Sequence, residues 1–152
     1  VCEMVVTFGA LLADVPHTQP TPVFGTAENA PLGTRLGLNG SEYQGPTGIV
    51  GVLQAECAAH GIPSASLWGA VPSYAPSSPS PKATTALAAR TVGLLRASVD
   101  TSVLDAAAIT YERQLDDLIA DDEGTLEYVR LLEREHDADG LVDEVERFLR
   151  EQ

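Results

Sequence analysis

The sequence predicts an α/β protein built on a mostly parallel sheet and extended at its carboxyl end by an acidic helical segment. Near-continuous apolar runs at Val1–Leu12 and Ser64–Val71 read as strands covered on two faces. A helix-period pattern lies between them, so strand, helix and strand make a βαβ unit. The charge is uneven: within a net charge of −13, residues 1–100 hold six acidic and four basic side chains, and 101–152 hold sixteen and five. The chain therefore divides into an α/β part, 1–99, and an acidic helical hairpin or subdomain, 100–152.

The first strand, "CEMVVTFGALL", is closed by Asp14-Val15-Pro16. A short extended piece follows at Pro22–Ala27, and then a stretch that is mostly loop, with one helical turn near Leu32–Leu36. From Pro46 the pattern is helical, with Ile49, Val50, Leu53 and Cys57 on one face and a glycine stop at His60-Gly61. After the second buried strand, "PSYAPSSPSP" carries four prolines in ten residues and reads as loop. Ser80 as cap and Pro81 at the first helical position open a helix through Leu87, Leu94 and Leu95, and the α/β part ends near Ser98. Beyond it Leu104, Ala108, Tyr111, Leu115 and Leu118 recur at steps of four and three. Leu126, Val129 and Leu132, then Leu141, Val145 and Phe148, repeat the theme, giving two or three amphipathic helices whose acids form a solvated outer face.

Composition excludes several function classes. No apolar run approaches the roughly 18 residues a membrane span needs, and "VCEMVV" lacks the basic flank of a secretory signal. Nine basic residues spread through an acidic chain make no phosphate groove, so nucleic acid is not an expected partner. Cys2 and Cys57 are too few for a disulfide framework and fit a reducing, cytoplasmic setting. His17, His60 and His136 share no ligand spacing, so no metal is assigned. The acids Glu135, Asp137, Asp139, Asp143 and Glu146 around Gly140 approach an EF-hand spacing, but Glu135 stands where Asp opens such a loop, and "HDADG" reads as an interhelical turn. The first strand is already under way at Val1, and two strands buried on both faces cannot complete a sheet. The expectation is that further strands come from residues before Val1 or from another chain.

Three places could carry function. Asp14 and His17 sit at the carboxyl end of a strand, where α/β sheets bind ligands, and a general base with its orienting acid would fit there. No Gly-x-Ser-x-Gly elbow accompanies them, and Asp before Val-Pro commonly bonds its own backbone, so they are read first as scaffold. Gly45 and Gly48 in "GPTGIVG" stand at a helix start that favours anions, although the spacing is neither dinucleotide nor P-loop type and suits close packing. Trp68, Tyr74 and Lys82 around the Pro-rich loop are the remaining candidates for a ligand- or partner-binding surface. No cofactor motif is present.

The stretches "GALLADVPHTQPTPVFGTA", "YQGPTGIVGVLQAECAAHGIPSASLWGAVPSY" and "SPKATTALAA" resemble the carboxyl-terminal half of actinobacterial-type bacterial members of the proteasome assembly chaperone 2 family. The likeness is strong over Val5–Ala89 and looser in the acidic helices. It implies a three-layer α/β/α fold of the phosphorylase/hydrolase kind, with the amino-terminal half of that domain outside this chain. It also implies a non-enzymatic, chaperone-like protein that self-associates into a homo-oligomer and binds proteins, proteasome subunits among the candidates. Several members of the family dock by a terminal hydrophobic-tyrosine-any tripeptide, which Arg150-Glu151-Gln152 does not match. The alternative is a hydrolase or ligase acting on a small anionic molecule, with Asp14 and His17 in its site.

Overall fold

A computed structural model describes residues 2–38 and 48–150, with backbone only for 138–150. The elements run β1 (Val5–Ala13), β2 (Val23–Ala27), α1 (Ala30–Leu36), α2 (Ile49–Ala59), β3 (Ser64–Pro72), α3 (Pro81–Leu95), α4 (Ser102–Ile119) and α5 (Glu123–Arg150). The sheet order is β1-β3-β2. β1 and β3 are parallel, with Val5 opposite Ser64 and Ala13 opposite Pro72. β2 runs antiparallel to β3, with Val23 opposite Gly69 and Ala27 opposite Ala65.

A mostly parallel sheet is therefore not what these three strands form. The link from Ala13 to Val23 has no crossover helix, so the chain is still at the carboxyl end of β1 when β2 begins. A strand starting there must run back. The βαβ reading holds for β1, α2 and β3, and the extended piece expected at Pro22–Ala27 is a strand, β2, of the same sheet. β3 is central and buried at every position but Trp68, as a doubly covered strand should be. β1 is an edge that pairs only with β3 among the described residues, and its Phe8 and Leu12 are 53% and 57% exposed.

The pleat of β3 sends Ser66 and Trp68 to one side and Leu67 and Gly69 to the other. Gln54 of α2 donates to the Ser66 hydroxyl at 2.9 Å, placing α2 on the first side. Ala83 and Leu87 of α3 lie against Gly69 on the second. There Leu38, Ala65 and Leu67 form a core with Val6, Val23, Ala27, Leu36, Leu87 and Leu94 around it. The helix face expected from Ile49, Leu53 and Cys57 is corrected. Cys57 is buried, but Ile49 is 81% and Leu53 42% exposed, and Val50, Gln54 and Cys57 mark the inward stripe. α2 is apolar on nearly all sides, so the hydrophobic pattern alone did not fix which face turns in.

The single turn expected near Leu32 is the short helix α1, capped by the Asn29 carboxamide, which accepts from the Leu32 N–H at 2.9 Å. Arg90 of α3 donates to the carbonyls of Leu36 and Gly37 and so holds the end of α1. Ser80 and Pro81 open α3 as expected, with the Ser80 hydroxyl accepting from the Ala83 N–H. The interhelical turn expected at His136–Gly140 is not there, because the α5 backbone continues through it, and the acids of the EF-hand-like spacing lie on a helix. The acidic segment is thus two helices, α4 and α5.

One position on β1 admits only glycine. A Cβ on Gly9 would lie 2.4 Å from the Trp68 ring, which lies across the strand. Gly9→Ala is expected to cost about 1–3 kcal/mol through overpacking. In urea denaturation the loss should shrink when Trp68→Leu is combined with it, and an equal loss in both backgrounds would show that the ring is not the cause.

Candidate functional site

The carboxyl ends of β1 and β3 release two loops, and α3, α4 and α5 close over them. His17 of the first loop is 2% exposed. Its backbone N–H donates to the Tyr74 hydroxyl at 2.8 Å, and its Nδ1 lies 2.7 Å from the same oxygen. Its Nε2 is 3.0 Å from Asp116 Oδ1 on α4. A carboxylate only accepts, so Nε2 carries a proton. With the proton on Nε2 the neutral ring leaves Nδ1 as an acceptor, and the Tyr74 hydroxyl is placed to donate to it. Both ring nitrogens are thereby engaged, and the imidazole offers neither a lone pair nor a proton to a substrate.

Lys82, the only lysine of the chain, stands at the first turn of α3. Its side chain is 13% exposed, and the ammonium donates to the carbonyls of His17 and Gln19 and to the Glu112 carboxylate of α4. Two oxygens in one loop and one on a helix satisfy a largely covered cation that would otherwise be costly. Asp14 accepts from the Ser73 hydroxyl at 3.0 Å, not from its own backbone as expected. The hydroxyls of Tyr128 and Ser73 hold its carboxyl below the usual range. Thr18 donates to Glu133 of α5 at 2.6 Å. The Tyr74 ring meets His17 and Tyr128 edge-on, with centroids 5.9 and 6.3 Å away. Burial pushes the Tyr74 phenol up to about 12 and raises that of Tyr111, whose hydroxyl is buried beside Ser80 without a partner in bonding geometry.

The structure therefore joins His17, Tyr74 and Lys82 in one network, with Asp14 at its margin. Trp68 is apart, on the α2 side of the sheet over Gly9. Gly48 is exposed as the N-cap of α2, and Gly45 lies outside the described residues. The sequence reading missed Glu112, Asp116, Tyr128 and Glu133, whose partners are 30 to 115 positions away in sequence; the helical period shows which face they occupy but not what they meet. Neither of the two depressions described lies on the network. They have volumes of about 300 Å³, beside Glu28, Arg35 and Pro63, and about 260 Å³, between Phe8, Ala10 and Leu87. Among the described residues no group of His, Cys, Asp and Glu is placed to hold a metal, and no helix is long and apolar enough to cross a membrane.

The sequence matches the PAC2 family over residues 2–119, from β1 to the end of α4. The chain belongs to that family. Its fold is similar to that of the proteasome-assembly chaperone homologue Rv2125 of Mycobacterium tuberculosis, at 46% identity and a TM-score of 0.72, covering 84% of this chain and 54% of the other. A PAC2 family protein from Streptomyces avermitilis is 42% identical, with a TM-score of 0.75 over 84% of this chain and 53% of its own. The archaeal proteasome activator PbaB of Pyrococcus furiosus shares the fold at 18% identity, with a TM-score of 0.64 over 76% of this chain and 50% of the other. The chain thus spans about half the length of these relatives. No curated protein matches it.

Two outcomes follow for this PAC2 chain. Lys82→Met, which leaves Glu112 and two carbonyls without their donor, should cost about 2 kcal/mol in chemical denaturation, and a loss no larger than that of an exposed residue would remove Lys82 from the network. Tyr74 has a folded pKa of about 12 against an ordinary value of about 10, so the stabilisation it gives is complete below pH 10 and is lost as pH rises towards 12. The ultraviolet titration difference between the native chain and Tyr74→Phe should place this phenolate near 12, and a step near 10 would contradict the burial.

Proposed function

We propose that this PAC2 chain is a non-enzymatic, chaperone-like protein that acts through protein surfaces and self-associates, in the cytoplasm. The observation that carries the reading is the contrast between a buried, fully engaged histidine and an open apolar surface. His17 is buried with both nitrogens engaged, whereas Phe8 and Leu12 on β1 and Ile49, Val52 and Leu53 on α2 are 42–81% exposed. Phe8 and Leu12 face the α3 side of the sheet and the α2 residues the opposite side. Apolar exposure on both sides of β1 marks contact surfaces, and the edge of β1, unpaired among the described residues, adds a row of free backbone donors and acceptors. Gly48 borders the α2 surface, and Trp68 lies on the same side of the sheet. Proteasome subunits are the first candidates for the partner, because relatives of this fold are described as a proteasome-assembly chaperone homologue and a proteasome activator. A three-layer sheet completed beyond β1, by further chain or by a partner, is the arrangement in which those side chains would be covered.

Light scattering coupled to size exclusion tests the reading. The native chain should run as an oligomer, and Phe8→Ser/Leu12→Ser or Ile49→Ser/Val52→Ser should shift it to monomer with unchanged circular dichroism. A native chain that is monomeric at every concentration would overturn self-association. A hydrolytic turnover abolished by His17→Ala at unchanged melting temperature would overturn the non-enzymatic assignment.

A further inference from the structure

Helix α5 stands apart from the rest of the molecule in three respects. It begins at Glu123, beyond the last residue of the family match, Ile119. Its described side-chain ties to the strand-end loops are few: the half-buried Glu133 accepts from the exposed Thr18, and the half-buried Tyr128 sets its hydroxyl towards the exposed Asp14 carboxylate and its ring edge-on to Tyr74. Its inward stripe runs through Leu126, Tyr128, Val129, Leu132 and His136, with Val129 and Leu132 alone buried among the residues whose side chains are described. By contrast α4 is anchored through Tyr111 and Leu115 against Ala75, and through Glu112 and Asp116 to Lys82 and His17.

We propose that α5 is a releasable strap, which leaves the carboxyl-terminal ends of β1 and β3 while α4 and the sheet stay folded. The physical argument is one of unequal anchoring. Hydroxyl–carboxylate contacts of part-exposed groups exchange for water bonds at modest net loss, so among the described residues the two contacts add only about a tenfold factor to the burial of two aliphatic side chains. Opening at such a place needs less free energy than global unfolding. Release bares the face of Tyr74 that Tyr128 now covers, together with Val129 and Leu132 on the strap, so a mixed aromatic and aliphatic surface appears where α/β sheets present their ligand sites. Of the residues picked out in the sequence as binding candidates, Tyr74 becomes accessible in this way. The proposal is independent of self-association, which concerns β1 and α2.

Hydrogen exchange of the full 152-residue chain, read by mass spectrometry, tests it. Amides of 123–137 should exchange faster than those of α4 and β3, and Thr18→Ala/Tyr128→Phe should speed them about tenfold, the equivalent of about 1.4 kcal/mol, while β3 is unchanged. In a Cys2→Ser background, the disulfide of Thr18→Cys/Glu133→Cys should slow the same amides when oxidised and release them when reduced. Uniform protection across α5, α4 and β3, or a variant that speeds all three equally, would overturn the strap, as would a crosslink that leaves α5 exchange unaltered.

Discussion

A single, largely covered ammonium sets the relation between the strand-end loops and the helices of this chain. Lys82 is held by the carbonyls of His17 and Gln19 and by the Glu112 carboxylate, so a loop after β1, the first turn of α3 and the middle of α4 are fixed to one point. An unpaired cation there would be expelled to water, and α3 and the loop would separate. Once the loop is fixed, His17 is carried under α4, where Tyr74 and Asp116 take its two nitrogens. The arrangement resembles a catalytic dyad in its residue types and differs in its accessibility, since His17 at its centre is buried.

The acidic carboxyl third gains a specific meaning from that junction. Most of its carboxylates lie on the outer faces of α4 and α5, as a solvated surface would, but Glu112, Asp116 and Glu133 turn towards the loops and accept the donors offered there. The same charge that keeps the helices soluble therefore orients them on the α/β part. The β1 edge, on the α3 side of the sheet, and the outer face of α2, on the other, carry exposed aliphatic and aromatic side chains.

Much of this was legible in the sequence for particular reasons. β3 is buried on both faces and its apolar run is unmistakable; Ser80-Pro81 opens α3 by two independent local signals; Tyr111 and Leu115 fall on the periodic stripe that is buried. β2 was visible as an extended piece, but its direction depends on which end of the sheet the preceding link leaves it, which no local pattern states. α2 misled because an all-apolar helix has no preferred face, and the segment around Gly140 misled because its acids and glycine resemble a turn although the flanking helix formers carry α5 through. The network was half legible: His17, Tyr74 and Lys82 were singled out separately, but their convergence rests on acids far away along the chain.

The claim on which this account turns is that His17 is a locked structural imidazole, and its ring nitrogens report on that directly. Long-range proton–nitrogen correlation spectra of the labelled chain at neutral pH should show one static tautomer for His17, with a proton on Nε2 and Nδ1 as a bare acceptor of the Tyr74 hydroxyl. In Tyr74→Phe that Nδ1 signal should move to the position of an unbonded nitrogen. Averaged signals from rapidly exchanging tautomers, or a proton on Nδ1, would contradict the account and return His17 to the residues free to act on a substrate.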